Sequence, residues 1–254
     1  MKNKLSTLLT LTICASILGA ATPAFAEEVE SLTTTGKVEF TADGDETGTI
    51  VKPDENGDDE EEITIPGEEG TSGSGSLRIQ FVPAFSFVTQ AGISTETKTY
   101  DAKLTKYNTD EKMPAFVQVT NNSGENPTWN LKAKASAFEN NGHTLAGASI
   151  NFNGSTLTTT GFNTADANTK LNKQSATTLI AGDVNSTVSV LSAKVGADTN
   201  GQQLSNVFQD DYKKADDYAG QTTTKGVQMV KPSGIAPKAG TYTSTITWTL
   251  EDGI

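Results

Sequence analysis

A single cysteine and a single histidine occur among the 254 residues, and that scarcity removes most metal and nucleophilic chemistry. A zinc site takes several His or Cys ligands, more than this chain can assemble. No Gly-x-Ser-x-Gly elbow and no GxxxxGK[ST] phosphate loop occurs in the sequence, so a serine hydrolase and a P-loop enzyme are not expected. His143 stands in Asn141-Gly142-His143, which reads as a turn. Basic residues are also short: 19 Lys and Arg face 31 Asp and Glu, for a net charge of −12. Nucleic-acid binding needs the opposite balance and is excluded. Aromatic residues make up only 7% of the chain and apolar residues 35%. A glycosidase needs no more than two carboxylates, so counting alone does not remove it, but no motif marks such a pair. No enzyme, metal site or cofactor is expected.

The sequence contains no long uninterrupted apolar run either. Leu5 to Ala20 is mostly apolar but carries Ser6, Thr7, Thr10, Thr12 and Ser16. Lys2 and Lys4 precede it, and Pro23 leads into Ala24-Phe25-Ala26, a small-x-small cleavage pattern. Residues 1–26 therefore read as a secretory signal, with the mature chain starting at Glu27. Cys14 falls in the removed segment, and Ile13 before it does not suit lipid modification. Without cysteine, the mature protein must hold its fold by burial and backbone pairing.

Charge is concentrated in one place. Residues 27–76 hold 16 acidic and 2 basic side chains, whereas residues 77–254 hold 15 of each. The acidic stretch includes Asp54-Glu55-Asn56-Gly57-Asp58-Asp59-Glu60-Glu61-Glu62 and closes on Gly73-Ser74-Gly75-Ser76. Like-charge repulsion and few apolar residues predict a disordered spacer over 27–76. Asp54, Asn56 and Asp58 alternate as calcium ligands do, but Asp59 occupies the position where an EF-hand loop requires Gly.

Residues 77–254 read as β. Thr is the commonest residue of the whole chain, at 39 positions, and suits half-buried strands. Period-two alternation recurs in Leu77/Ile79/Phe81, Ile150/Phe152, Val188/Val190 and Val227/Met229. Trp129, Leu131, Ala133 and Ala135 share one face, as do Tyr242, Ser244, Ile246, Trp248 and Leu250. The pattern predicts an all-β antiparallel sandwich with Greek-key-like connections. Residues 136–147 and 196–225 are expected to be loops, with a short helix allowed between Leu204 and Tyr218. The run Asp210 to Tyr218 is the richest acidic cluster of this part, suited to a solvated loop and less well to calcium or carbohydrate contact.

Two tripeptides stand out: Trp129-Asn130-Leu131 and Trp248-Thr249-Leu250. With Leu77 to Phe87, Pro114 to Thr120, the Asn121 to Gly124 turn and Ala239-Gly240-Thr241-Tyr242, they give residues 77–254 a pattern that resembles the WxL-domain surface proteins of low-GC Gram-positive bacteria. Two departures are Thr128, where that family often has Gly, and the absence of Pro in the closing Glu251-Asp252-Gly253-Ile254. The resemblance implies a cell-surface protein held non-covalently on the wall, with peptidoglycan or another envelope polymer as ligand and Trp129, Leu131, Trp248 and Leu250 as the motif residues. It also implies other WxL proteins and a membrane-anchored family as partners. The alternative is therefore a structural subunit of a surface complex, with an adhesin role. Absence of an LPxTG-like motif or apolar tail fits non-covalent retention. On the residues alone, Trp and Leu two apart on a strand read chiefly as core, and less as rings exposed for a sugar or protein.

Overall fold

Alternation decides which side of each strand is buried, and it is followed closely in β10, where Trp129, Leu131, Ala133 and Ala135 are buried and the residues between them are not. The computed structural model describes residues 27–34 and 48–253, apart from 59, 68, 90–92 and 174–175. In chain order the strands begin with β1 (Glu27–Thr34), β2 (Ile50–Val51), β3 (Glu62–Ile63), β4 (Gly70–Thr71), β5 (Leu77–Pro83), β6 (Lys98–Lys103) and β7 (Thr105–Tyr107). They continue with β8 (Glu111–Met113), β9 (Phe116–Asn121), β10 (Trp129–Ala135), β11 (Glu139–Asn140), β12 (His143–Thr144), β13 (Ser149–Phe152) and β14 (Thr156–Thr159). Helix α1 (Thr164–Lys170) precedes β15 (Leu171–Lys173), β16 (Thr177–Ile180), β17 (Val188–Ala193), β18 (Gln202–Val207), β19 (Thr223–Lys231) and β20 (Ile246–Asp252).

Three larger sheets form, ordered β1-β20-β10-β17-β15, β16-β13-β19-β6 and β14-β18-β9-β5-β4. Their pairings are antiparallel. Only β4 and β5 are both consecutive in the chain and paired within these sheets, so the connections cross between sheets as Greek-key connections do. The inward faces meet in one apolar core. Trp129, Leu131, Trp248 and Leu250 come from the first sheet, Ile150, Phe152 and Val227 from the second, and Ile79, Val119 and Leu204 from the third. The fold is all-β, as the alternation predicts.

Three local expectations need correction. The stretch 196–225, expected as a loop, contains β18 and the start of β19, because Leu204 and Val207 are buried. No helix lies between Leu204 and Tyr218: β18 covers its start, and turns follow. The helix is α1, begun by Asn163, whose Oδ1 accepts from Asp166 N at 3.0 Å. The polar stretch 136–147 also contains a hairpin, β11–β12, turned by Asn141 and Gly142 at φ 47° and 76°.

The larger correction concerns the acidic segment. Residues 1–26 and 35–47 lie outside the described residues, but the described residues of 48–76 pack on the domain as a strap instead of forming a disordered spacer. Val51 and Ile63 are buried in a second apolar cluster with Phe81, Tyr107, Met113, Phe116, Val207 and Tyr212. The strap covers what the alternation marked as the polar face of the third sheet, so all seven residues of β5 and all six of β9 are buried. Those polar side chains bind strap backbone. Gln118 Nε2 donates to Val51 O at 2.9 Å, its Oε1 accepts from Val51 N at 3.2 Å, and Gln80 Nε2 donates to Gly48 O at 2.5 Å. Lysines oppose the self-repulsion: Lys214 Nζ lies 3.6 Å from Asp54 and 3.3 Å from Glu61, and Lys52 lies 3.7 Å from Glu61. A few apolar anchors, backbone pairing and local counter-charge outweigh the unfavourable composition. N-terminal to the strap, β1 pairs along β20 from Glu27↔Asp252 to Thr34↔Ile246.

Candidate functional site

The two Trp-x-Leu tripeptides lie on neighbouring antiparallel strands. Leu131 stands opposite Leu250, Ala133 opposite Trp248, and Trp129 opposite Asp252. The leucines therefore form the centre of a local two-fold arrangement, with one tryptophan displaced two residues to each side. The Trp Cα positions are four residues apart along the strand direction, about 14 Å. Leu191 of β17 extends the leucine row on the far side of Leu131.

All four motif side chains are fully buried, at 0% exposure. Trp248 has Phe85 at 6.4 Å between ring centroids, tilted by 52°. Neither Nε1 has a hydrogen-bond partner among the described residues, which is uncommon for a buried indole and marks both rings as apolar filling. On the other face of the same strands, Lys132 Nζ meets Glu251 Oε2 at 2.5 Å. The tripeptides thus build the core side of the sheet. No indole face is open to a sugar.

His143 begins β12, directly after the turn, and its Nδ1 is 2.8 Å from Tyr242 Oη. Tyr242 Oη also accepts from Lys238 N at 2.8 Å. The pair fastens the hairpin to the segment before β20. The acidic run beginning at Asp210 is more structured than a solvated loop. Tyr212 is buried, and its hydroxyl donates to Pro53 O at 3.2 Å. Burial pushes the Tyr212 phenol upward, with the charges of Tyr218, Tyr107, Glu55 and Asp216 adding to it. Burial also raises Tyr107, assisted by Glu111, and Tyr218, assisted by Asp216. Asp54 Oδ1 accepts from Asn56 N at 2.8 Å while Oδ2 faces Lys214, so the first of the alternating residues forms an Asx turn and an ion pair.

Sequence reading missed a polar cleft of about 350 Å³ between the strap, α1 and the Asp210–Lys213 turn. Strap and helix are joined by Gly161 N donating to Gly57 O at 2.8 Å and Thr164 N donating to Glu55 O at 2.8 Å. Gly57 has φ 72°, and a Cβ there would lie 2.2 Å from Phe162 O, so only glycine allows this approach. The Asn56-Gly57 pair was the available signal, and the expectation of disorder hid it. No group of three potential metal-binding side chains occurs among the described residues, and no helix there is long and apolar enough to cross a membrane.

An all-β domain whose central sheet is built around paired Trp-x-Leu tripeptides defines the class. A family model described as "WxL domain surface cell wall-binding" matches residues 27–253, and the chain belongs to this family. The match begins at Glu27 and includes the acidic strap, which places a boundary at residue 77 inside the family domain. No curated protein and no solved structure matches the chain. The protein is a cell-surface protein with a wall-binding domain, a family of binding modules and not of enzymes.

Proposed function

We propose that the protein is secreted by means of residues 1–26 and held non-covalently on peptidoglycan by the domain from Glu27 onward. The observation that carries this reading is the family match across both Trp-x-Leu strands and the strap. In this reading Trp129, Leu131, Trp248 and Leu250 serve wall binding indirectly: they fix the first sheet, and a surface elsewhere meets the polymer. Burial of all four supports an indirect role, because a side chain at 0% exposure offers no contact area. Sedimentation of the purified mature protein with purified cell walls tests it. Saturable pelleting with walls stripped of protein and of anionic polymers is expected. Failure to pellet with peptidoglycan, or pelleting only when wall proteins are present, overturns it in favour of docking on a surface partner.

A further inference from the structure

We propose that the polar cleft between the strap, α1 and the Asp210–Lys213 turn is a subsite for a neutral, N-acetylated sugar of the wall glycan, an inference that rests on the wall-binding reading above. Its volume of about 350 Å³ lies within the range of small-ligand clefts, about 300–1,000 Å³. Its lining residues are mostly polar, with Ala165 as the one aliphatic side chain and Tyr212 as the one ring, which suits a polar ligand better than a lipid.

Several polar groups in the cleft are already committed. Glu55 Oε2 accepts from Lys214 N at 2.8 Å, and Asp210 Oδ1 accepts from Ser155 N at 3.0 Å. Lys173 Nζ donates to Ser155 O. Asp211 and Lys213, both exposed, have no side-chain partner among the described residues, and neither do Asn163 Nδ2 and Asn168 Oδ1. One free carboxylate and one free ammonium cancel, and the amides supply both donors and acceptors. Hydroxyl and acetamido groups, which donate and accept, match that set; a charged stem peptide does not.

Ser155 belongs to the wall of the cleft at 1% exposure, and the protein leaves its hydroxyl unpaired among the described residues. Buried hydroxyls are normally paired. The surrounding backbone is held in place by other elements: a Cβ on Gly154 would lie 2.1 Å from Asp210 Oδ2, so glycine makes the room that lets this carboxylate reach Ser155 N. The cleft is built before any ligand arrives.

The test titrates the mature protein with oligomers of N-acetylglucosamine, the neutral sugar of the wall glycan, and separately with free stem peptide, by calorimetry. Wall pelleting and thermal melting are run in parallel for wild type, Asn168→Ala and Asp211→Ala. The oligomer should bind and the peptide should not. Each variant should melt like wild type and lose at least about tenfold in oligomer affinity, with a matching loss of pelleting. Peptide binding alone, or variants that bind and pellet like wild type, would sink the subsite while leaving the wall-binding reading intact. If wild type itself fails to pellet, both are overturned.

Discussion

Leu131 and Leu250 face each other directly across β10 and β20, and their pairing brings two tripeptides almost 120 residues apart in sequence into one buried row. Truncating either to alanine should cost about 2–5 kcal/mol. Because the two residues are in contact register, the double variant should depart from additivity by about 0.5–3 kcal/mol. Urea unfolding of the four proteins measures this. Simple additivity would show that the pairing has no energetic consequence.

Removing the strap should destabilise the domain. A chain beginning at Gly75 loses the pairing of β1 with β20 and the buried side chains Val51 and Ile63, worth about 1.5–3 kcal/mol each, and leaves the Gln118 amide without the Val51 backbone. For a domain of this size, each kcal/mol shifts the melting temperature by about 2–4 °C. A fall of more than about 5 °C is therefore expected by circular dichroism, with increased exposure of Tyr107 and Tyr212 to quenchers.

Alkali should loosen the same contact. Tyr212 and Tyr107 have folded pKa values raised above that of an unfolded tyrosine, about 10. A raised folded value contributes stability that is complete below about pH 10 and declines as pH climbs further. Melting temperature should thus be insensitive to these groups near neutrality and fall steeply above about pH 10. Tyr212→Phe should lose about 1 kcal/mol at neutral pH, with the hydrogen bond to Pro53, and show a shallower alkaline decline. An equally steep decline in the variant would remove Tyr212 from the explanation.

Wall retention should survive high salt. Residues 77–254 carry 15 acidic and 15 basic side chains, and the segment before them is strongly acidic, so bulk attraction to anionic polymer is not the source of binding. Salt screens exposed charges beyond about 8–10 Å. Release of most of the protein from walls by moderate salt would point to a concentrated basic patch.

Strand positions were legible because period-two alternation is a local signal, and β10 and β20 follow it closely. The burial of the Trp and Leu side chains could be read from the same alternation. Their pairing with one another could not, since register between distant strands depends on the other strands that flank them. The strap was misread for a physical reason: composition averages over a segment, whereas docking depends on a few anchors. Ile50-Val51 and Ile63-Thr64-Ile65 were such anchors within the acidic run. So were the outward Arg78, Gln80 and Gln118, side chains able to bond a covering backbone. The cleft was invisible for the same cause, as one of its walls belongs to the strap.

The central claim is that the Trp-x-Leu pair serves wall binding by packing the core and not by touching the polymer. The most direct measurement is cell-wall sedimentation of Trp129→Phe and Trp248→Phe beside their thermal melts. Phenylalanine keeps a buried ring, and loss of an unpartnered indole N–H removes no hydrogen bond made within the described residues. Both variants should melt somewhat below wild type, remain folded at room temperature and pellet with walls as wild type does. A variant that stays folded yet no longer pellets would contradict the account and make that indole a contact residue.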